Sequence, residues 1–227
     1  MAIDLSHQWR SQLADARFTP TRKRLRASRE GNLVCDTADA VIVWLPRRVV
    51  PEYAVPRASF VADVPQSARG LEAHGLPDHV VLPFGDFDWL EEDEPVIGHP
   101  HDPFARIDIL RSARHVRVEL DGLVLADTHH PTALFETHLP PRWYIPMNDV
   151  NTEVLTPTDT RTTCAYKGHA SYYSAPGDAG VDIAWVYRQP LREAEAVRDQ
   201  LCFFAERTET LVDGVKDPGF VGGMPEH

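Results

Sequence analysis

The chain has 227 residues, 43% of them hydrophobic and 25% charged, with a formal net charge of -11. That length allows one large domain or two small ones with a buried core, and an acidic chain repels nucleic-acid phosphates and anionic membrane surfaces. No apolar run approaches the roughly 18 residues of a membrane span, the start MAIDLSHQWR lacks a signal-peptide pattern, and Cys35, Cys164 and Cys202 are too few for a disulfide framework, which together predict a reduced cytoplasmic protein.

Leu5, Trp9 and Leu13 recur at helical spacing and predict a short N-terminal amphipathic helix. An internal repeat follows. The stretch RLRASREGNLVCDTADAVIVWLPRRVVPEY from Arg24 aligns without a gap on HVRVELDGLVLADTHHPTALFETHLPPRWY from His115, at an offset of 91. Arg26 falls on Arg117, Gly31 on Gly122, Asp36 on Asp127, Thr37 on Thr128 and Tyr53 on Tyr144; a one-residue slip then brings Pro56 onto Pro146. Each copy opens as a β-hairpin. Val116, Val118 and Leu120 alternate with Arg117 and Glu119, Asp121-Gly122 is a turn pair, and residues 123–126 form the return strand. After Pro146 the second copy runs on for some sixty residues, whereas the first has about thirty before FDWLEEDEP, so the first unit reads as truncated. Between them, EEDEPVIGHPHDPFARIDIL is acidic, then Pro-rich and aperiodic, a linker. Pro190, Ala194, Val197, Leu201 and Phe204 predict a second amphipathic helix with Pro in its first turn.

The chemistry-bearing residues cluster in the second copy. Residues 161–174 bring Cys164, Tyr166, Lys167, Gly168, Tyr172 and Tyr173 together, with Tyr172 and Ser174 on one strand face and Tyr173 on the other. Lys167 beside Gly168 predicts a turn or bulge that aims an ammonium group at an anion or carbonyl, or, desolvated, at proton-transfer or Schiff-base work. The bland alternative is a surface lysine at a hairpin turn. Trp185 and Tyr187, at i and i+2, face the same way, either around a planar ligand or in the core. Glu136 ends the apolar run PTALFE and falls on Leu45 of the first copy, which favours a carboxylate role in the second copy alone, with an exposed strand end as the alternative. A structural zinc site has no CxxC pair, and His99, His101, His129, His130, His138 and His169 show no ligand spacing, so no metal and no cofactor are expected. No G-x-S-x-G, Walker A or dinucleotide fingerprint is present.

The runs VRVELDGLVLADT, LFET, RWYIP, TRTTCAYKGHASYYS and DIAWVYRQPL together resemble the family called Domain of Unknown Function 427, also labelled NTP_transf_9, over about residues 115–207. The first copy and the linker resemble those of its two-unit bacterial members. The resemblance implies a β-tent fold, two antiparallel sheets leaning together, a fold shared with zinc-bearing relatives and with the cereblon ligand domain; this chain lacks the cysteine pairs of the former. The positions that match the family's motif are Glu136, Tyr144, Arg161, Cys164, Tyr166, Lys167, Gly168, Tyr172, Trp185 and Tyr187. No carboxylates at metal-binding spacing support the nucleotidyltransferase label.

The expected protein is therefore mainly β: tandem β-tent-like units of antiparallel sheets with a few short helices. Residues 1–92 form a degenerate first unit, 93–111 the linker, 112–214 the complete second unit and 215–227 a tail. A cleft in the second unit lined by Glu136, Lys167, Tyr172, Trp185 and Tyr187 is expected to bind a small polar or planar metabolite. An enzyme using Lys167 with Glu136 or a tyrosine, and a structural or interaction module, are the alternatives. The expected partner is a small molecule, with no nucleic acid and no membrane, and the chain is expected to be a monomer or weak homodimer.

Overall fold

The computed structural model describes residues 11–219, so the helix expected around Leu5 and Trp9 lies largely outside the described residues. The chain is mainly β, and all strand pairing is antiparallel. It divides into two compact units between Asp102 and Pro103.

In the first unit, β1 (Arg17–Pro20), β4 (Val41–Trp44), β5 (Glu52–Pro56), β7 (Leu76–Val81) and β6 (Arg69–Leu71) form a five-stranded sheet in that order. A four-stranded sheet has the order β3 (Asn32–Thr37), β2 (Leu25–Arg29), β8 (Asp88–Glu91) and β9 (Glu94–Val96). Alternation explains the layering: Ile42 and Trp44 join Leu25, Ala27, Cys35, Tyr53, Val55, Leu82 and Trp89 between the sheets. Val41 and Val43 point the other way, with Ala54, Leu71 and Val81. Every residue of VIVW is buried, as a strand covered on both faces requires.

The second unit has a seven-stranded sheet, β10 (Ile107–Arg111), β13 (Thr132–Glu136), β14 (Arg142–Ile145), β18 (Leu201–Phe203), β17 (Ala184–Pro190), β16 (Gly168–Ser174) and β15 (Thr156–Cys164). Its smaller sheet runs β12 (Leu123–Thr128), β11 (Val116–Leu120), β19 (Glu209–Val212) and β20 (Val215–Lys216). Strand for strand, the order in the smaller sheets is the same, and the larger sheet of the second unit adds β16 and β15 at one edge. The local signals coincide too. Glu30-Gly31 and Asp121-Gly122 both turn at positive φ, 53° and 78° against 50° and 79°. The register shifts between Ala27 and Ser28 in one hairpin and between Val118 and Glu119 in the other. Thr37 Oγ1 accepts from the Asp39 amide as Thr128 Oγ1 accepts from that of His130.

Three details differ from the sequence reading. First, Ile42 pairs with Tyr53 while Ala133 pairs with Trp143, so the one-residue slip precedes Tyr53 and Trp143 is its counterpart. Because strand faces alternate, Tyr53 points between the sheets and Tyr144 away from them. Secondly, residues 190–204 are not one helix. A 3-10 helix spans Arg192–Val197 and the apolar LCF run becomes β18, a central strand buried on both faces. Its helical periodicity came from a short turn and a strand whose apolar positions happen to share spacing. Thirdly, the stretch 93–111 contributes a strand at each end, β9 and β10, and Val215–Lys216 of the expected tail is β20. Among the described residues no helix is long and apolar enough to cross a membrane.

The first unit encloses one network of charge. Glu91, with 10% of its side chain exposed, accepts hydrogen bonds from Tyr53 at 2.7 Å and Lys23 at 2.5 Å, with His101 Nδ1 3.6 Å away. Burial acts to raise the Glu91 carboxyl, but the polar groups around it, His101, Lys23 and Tyr53, outweigh it and hold the pKa at about 2. A depressed folded-state pKa gives stability that is present above the unfolded-state glutamate value and lost as pH falls through the folded one. The unit is expected to weaken between the ordinary glutamate range and about pH 2, and Glu91→Gln to flatten that dependence. The variant should also cost about 1–3 kcal/mol at neutral pH. Urea unfolding of both proteins at several pH values measures this; superimposable pH profiles would remove Glu91 from the role.

Candidate functional site

The larger sheet of the second unit has two unlike faces. One packs Ala133, Trp143, Ile145, Ala184, Val186, Leu201 and Phe203 against the smaller sheet. The other carries Leu134, Tyr144, Ala170, Trp185, Tyr187 and Cys202, with Tyr172 and Phe204 half-buried beside them. Register explains the assembly. Tyr144 and Trp185 both lie opposite Cys202, Tyr172 lies opposite Trp185, and Ala170 opposite Tyr187, so side chains from four strands converge.

Polar groups are set into this face. Lys167 Nζ donates to Glu136 Oε2 at 2.5 Å, and the two side chains are 11% and 17% exposed. Lys167 is the one charged residue that is buried among the described residues, a placement that lysine adopts almost only when paired. Local backbone puts it there. Residues 165–167 form the turn between β15 and β16, Gly168 follows at φ 96°, and the Leu191 amide donates to the Lys167 carbonyl at 3.1 Å. A Cβ on Gly168 would lie 3.3 Å from the Gln189 carbonyl oxygen, so a conformation open to glycine is also a close approach between strands. Glu136 ends β13, two residues beyond Leu134 and on the same face.

The rings are tied together. Trp185 Nε1 donates to Tyr144 Oη at 3.2 Å, and their planes are perpendicular with centroids 6.4 Å apart. Trp185 also lies 4.5 Å from Phe204. The Arg142 guanidinium stands 5.7 Å from the centre of the Trp185 ring and forms a two-pronged pair with Glu206, at 2.8 and 2.9 Å. Tyr172 Oη and Thr162 Oγ1 share a hydrogen bond of 2.9 Å.

Burial dominates the titration of the neutral groups. It pushes the Cys202 thiol up to about 12. It holds the Tyr144 phenol well above its ordinary value, with Cys202 and Tyr187 adding to the effect. The Tyr187 phenol is also raised, first by burial and then by Cys164, Tyr172, Cys202 and Glu136 around it. These groups stay protonated at neutral pH, and the charges on this face are two cations and two carboxylates in pairs.

Of the residues singled out in sequence, Glu136, Lys167, Tyr144, Tyr172, Trp185 and Tyr187 share this face, and Cys164, half-buried, lies opposite Gly168 at the end of β15. Tyr166 lies in the Lys167 turn. Arg161 is not part of the cluster. It pairs with Ser171, one position out of phase with Thr162, and its guanidinium turns back to the carbonyls of Thr158 and Thr160 at 2.8 and 2.6 Å. Trp185 and Tyr187 are 8% and 5% exposed, so they pack as a buried wall. Sequence reading passed over Arg142, Glu206 and Cys202. The i, i+2 relation of Arg142 to Tyr144 was the signal for the first, while Glu206 lies in a turn with no period to place it. Among the described residues no group of three or more His, Cys, Asp or Glu is arranged to hold a metal ion.

Residues 108–214 match the family model described as NTP_transf_9, Domain of unknown function (DUF427), so the second unit carries that family's domain. No curated protein matches the chain.

Removing one member of a buried pair strands the other charge, so Lys167→Met and Glu136→Leu should each cost about 2–4 kcal/mol. The double variant should recover most of that loss, with a coupling of about 1 kcal/mol or more. Chemical denaturation of the four proteins closes the cycle; additive losses would mean that the pair is solvated. Gly168→Ala should cost about 1–2 kcal/mol through its positive φ, read as a lowered melting temperature.

Proposed function

We infer that the second unit, a DUF427 domain, binds a small polar metabolite at the Lys167–Glu136 end of its aromatic face. One observation carries the reading. At the position where the first unit has Leu45, packed beside Val41 and Val43, the second has Glu136 joined to a buried Lys167. An apolar filling of that face exists in the same chain. A buried ion pair gains little stability over a well-packed apolar pair, because desolvation offsets the Coulomb attraction. Its chemical use is recognition: Lys167 offers three donors to an anionic or carbonyl group, and Glu136 accepts from a hydroxyl or amine. Tyr187, Tyr172 and the Cys164 thiol supply the surrounding wall, and burial keeps the Tyr187 phenol protonated as a donor.

The matching strand orders, bulges and turns of the two units support a second element of the reading, that both are copies of one β-tent-like design. The first kept the frame, and the second gained the β15–β16 hairpin that carries the lysine.

The test is a thermal-shift panel of small carboxylates, sugar phosphates, nucleotides and amino acids against wild type and the Lys167→Met/Glu136→Leu double variant. A ligand at 100 times its Kd adds about 2.7 kcal/mol of stability, so at least one class should raise the wild-type melting temperature by several degrees and leave the double variant unmoved. A shift of equal size in both proteins would place binding elsewhere.

A further inference from the structure

The first unit has a cavity of its own that owes nothing to the lysine face. A groove of about 310 Å³ opens at the end of its larger sheet, walled by Arg48, Val50, Glu52, Arg69, Phe84 and His99. That is the lower end of the range of roughly 300–1,000 Å³ that holds small ligands. Register explains why the space exists. Arg69 lies opposite Val81, and Trp185 opposite Cys202, so Arg69 stands at the strand position that the indole fills in the second unit. Glu52, opposite Val43, stands where Arg142 stands, opposite Leu134. The first unit thus has the Arg69–Glu52 ion pair where the second has a ring under a guanidinium, and no indole stands at that strand position.

The chemistry of the wall is cationic and flat. Arg69 is held by the Glu52 carboxylate. Arg48 lines the groove, and its guanidinium has no ion pair or hydrogen bond among the described residues. The His99 ring is oriented by a 2.7 Å contact between Nδ1 and the Pro100 carbonyl, and Gly98 at φ 75° turns the chain into the wall. Phe84 is fixed by Trp89, its ring stacked on the indole at 6.1 Å and 10°. A fixed ring and an arginine with no partner among the described residues thus line one groove, in a chain whose net charge of -11 repels anions elsewhere.

We propose that this groove binds a small organic anion, a carboxylate or phosphate monoester on a flat apolar body. The acid group meets Arg48 and Arg69, and the flat part lies along Phe84. The site is independent of Lys167 and takes a separate ligand.

The experiment uses the full chain, labelled with nitrogen-15, titrated with benzoate and adenosine monophosphate and with their uncharged counterparts benzyl alcohol and adenosine. The two anions separate a carboxylate preference from a phosphate one. The expected result is a Kd of about 0.1–1 mM for at least one anion, with shifts in the amides of residues 48–50, 52, 98 and 99 and an at least tenfold weaker response to its neutral counterpart. Arg48→Ala, which removes an exposed and unpaired side chain and leaves the fold intact, should weaken binding about tenfold. Lys167→Met/Glu136→Leu should leave it unchanged. The proposal is overturned if neither anion shifts those amides, if the neutral counterparts bind as tightly, if Arg48→Ala has no effect, or if the second-unit variant abolishes binding. Only that last outcome would hand the ligand to the lysine face, so this proposal and the preceding one fail separately.

Discussion

The central strands of both larger sheets are buried on two faces, and that constraint governs the rest of the molecule. A sheet covered on one side only can leave every second residue polar; a sheet covered on both has no such freedom, and each polar group on it must find a partner. The first unit meets the demand with apolar side chains, as in the fully buried VIVW strand. The second meets it differently on the face turned from its smaller sheet. There the indole donates to a phenol, a guanidinium is matched by a carboxylate in two-pronged geometry, and the one buried ammonium is matched by Glu136. The polar groups are satisfied in pairs, so the face is close to neutral as well as dry.

Neutrality limits what such a face can do. Buried phenols at Tyr144 and Tyr187 and a thiol raised to about 12 at Cys202 do not ionise at physiological pH, so they serve as donors and as bulk. The indole and the Tyr144 ring stiffen one another and bind nothing by stacking while they are packed at perpendicular planes. Exchangeable polar contacts are concentrated at one end, where Lys167 and Glu136 satisfy each other, and the ligand inferred above would meet two complementary groups there. The aromatic wall contributes a low dielectric that strengthens contacts made by the pair.

Period-two alternation and turn chemistry made the hairpins legible. Asp121-Gly122 between alternating runs states a tight turn, and the structure has it at the φ values such a turn needs. The same alternation put Trp185 and Tyr187 on one face and Tyr173 on the other. What escaped was register across a loop. The loops after β4 and β13 differ by one residue, and the sequence identity of Tyr53 with Tyr144 masks it. A gapless alignment cannot sense that a strand has turned over, although a slip of one position sends every side chain to the opposite face. The residues 190–204 failed for a related reason. Apolar spacing is evidence of a helix only where one element spans it, and here a 3-10 turn hands over to a central strand inside the window. Arg161 shows the converse limit. Its match to the family's motif suggested the site, and one position of phase along β15 removed it.

The two units show how far a shared frame leaves chemistry undetermined. Their smaller sheets run in one strand order, bulge at equivalent points and turn at equivalent glycines, so the backbone problem is solved in the same way in each. The differences lie where the frame is permissive: at the end of β13 against the residue after β4, at the strand position held by Trp185 or Arg69, and at the sheet edge where the second unit adds a hairpin. That hairpin needs Gly168, because the turn must bring a lysine close beneath the 189–191 backbone while its own chain passes at positive φ. A single-residue requirement at an added edge thus controls whether an ammonium group reaches a carboxylate on a strand far away in the chain. In the first unit, which lacks the hairpin, the same frame closes over aliphatic residues, and the polar side chains Arg48 and Arg69 line the groove beside them.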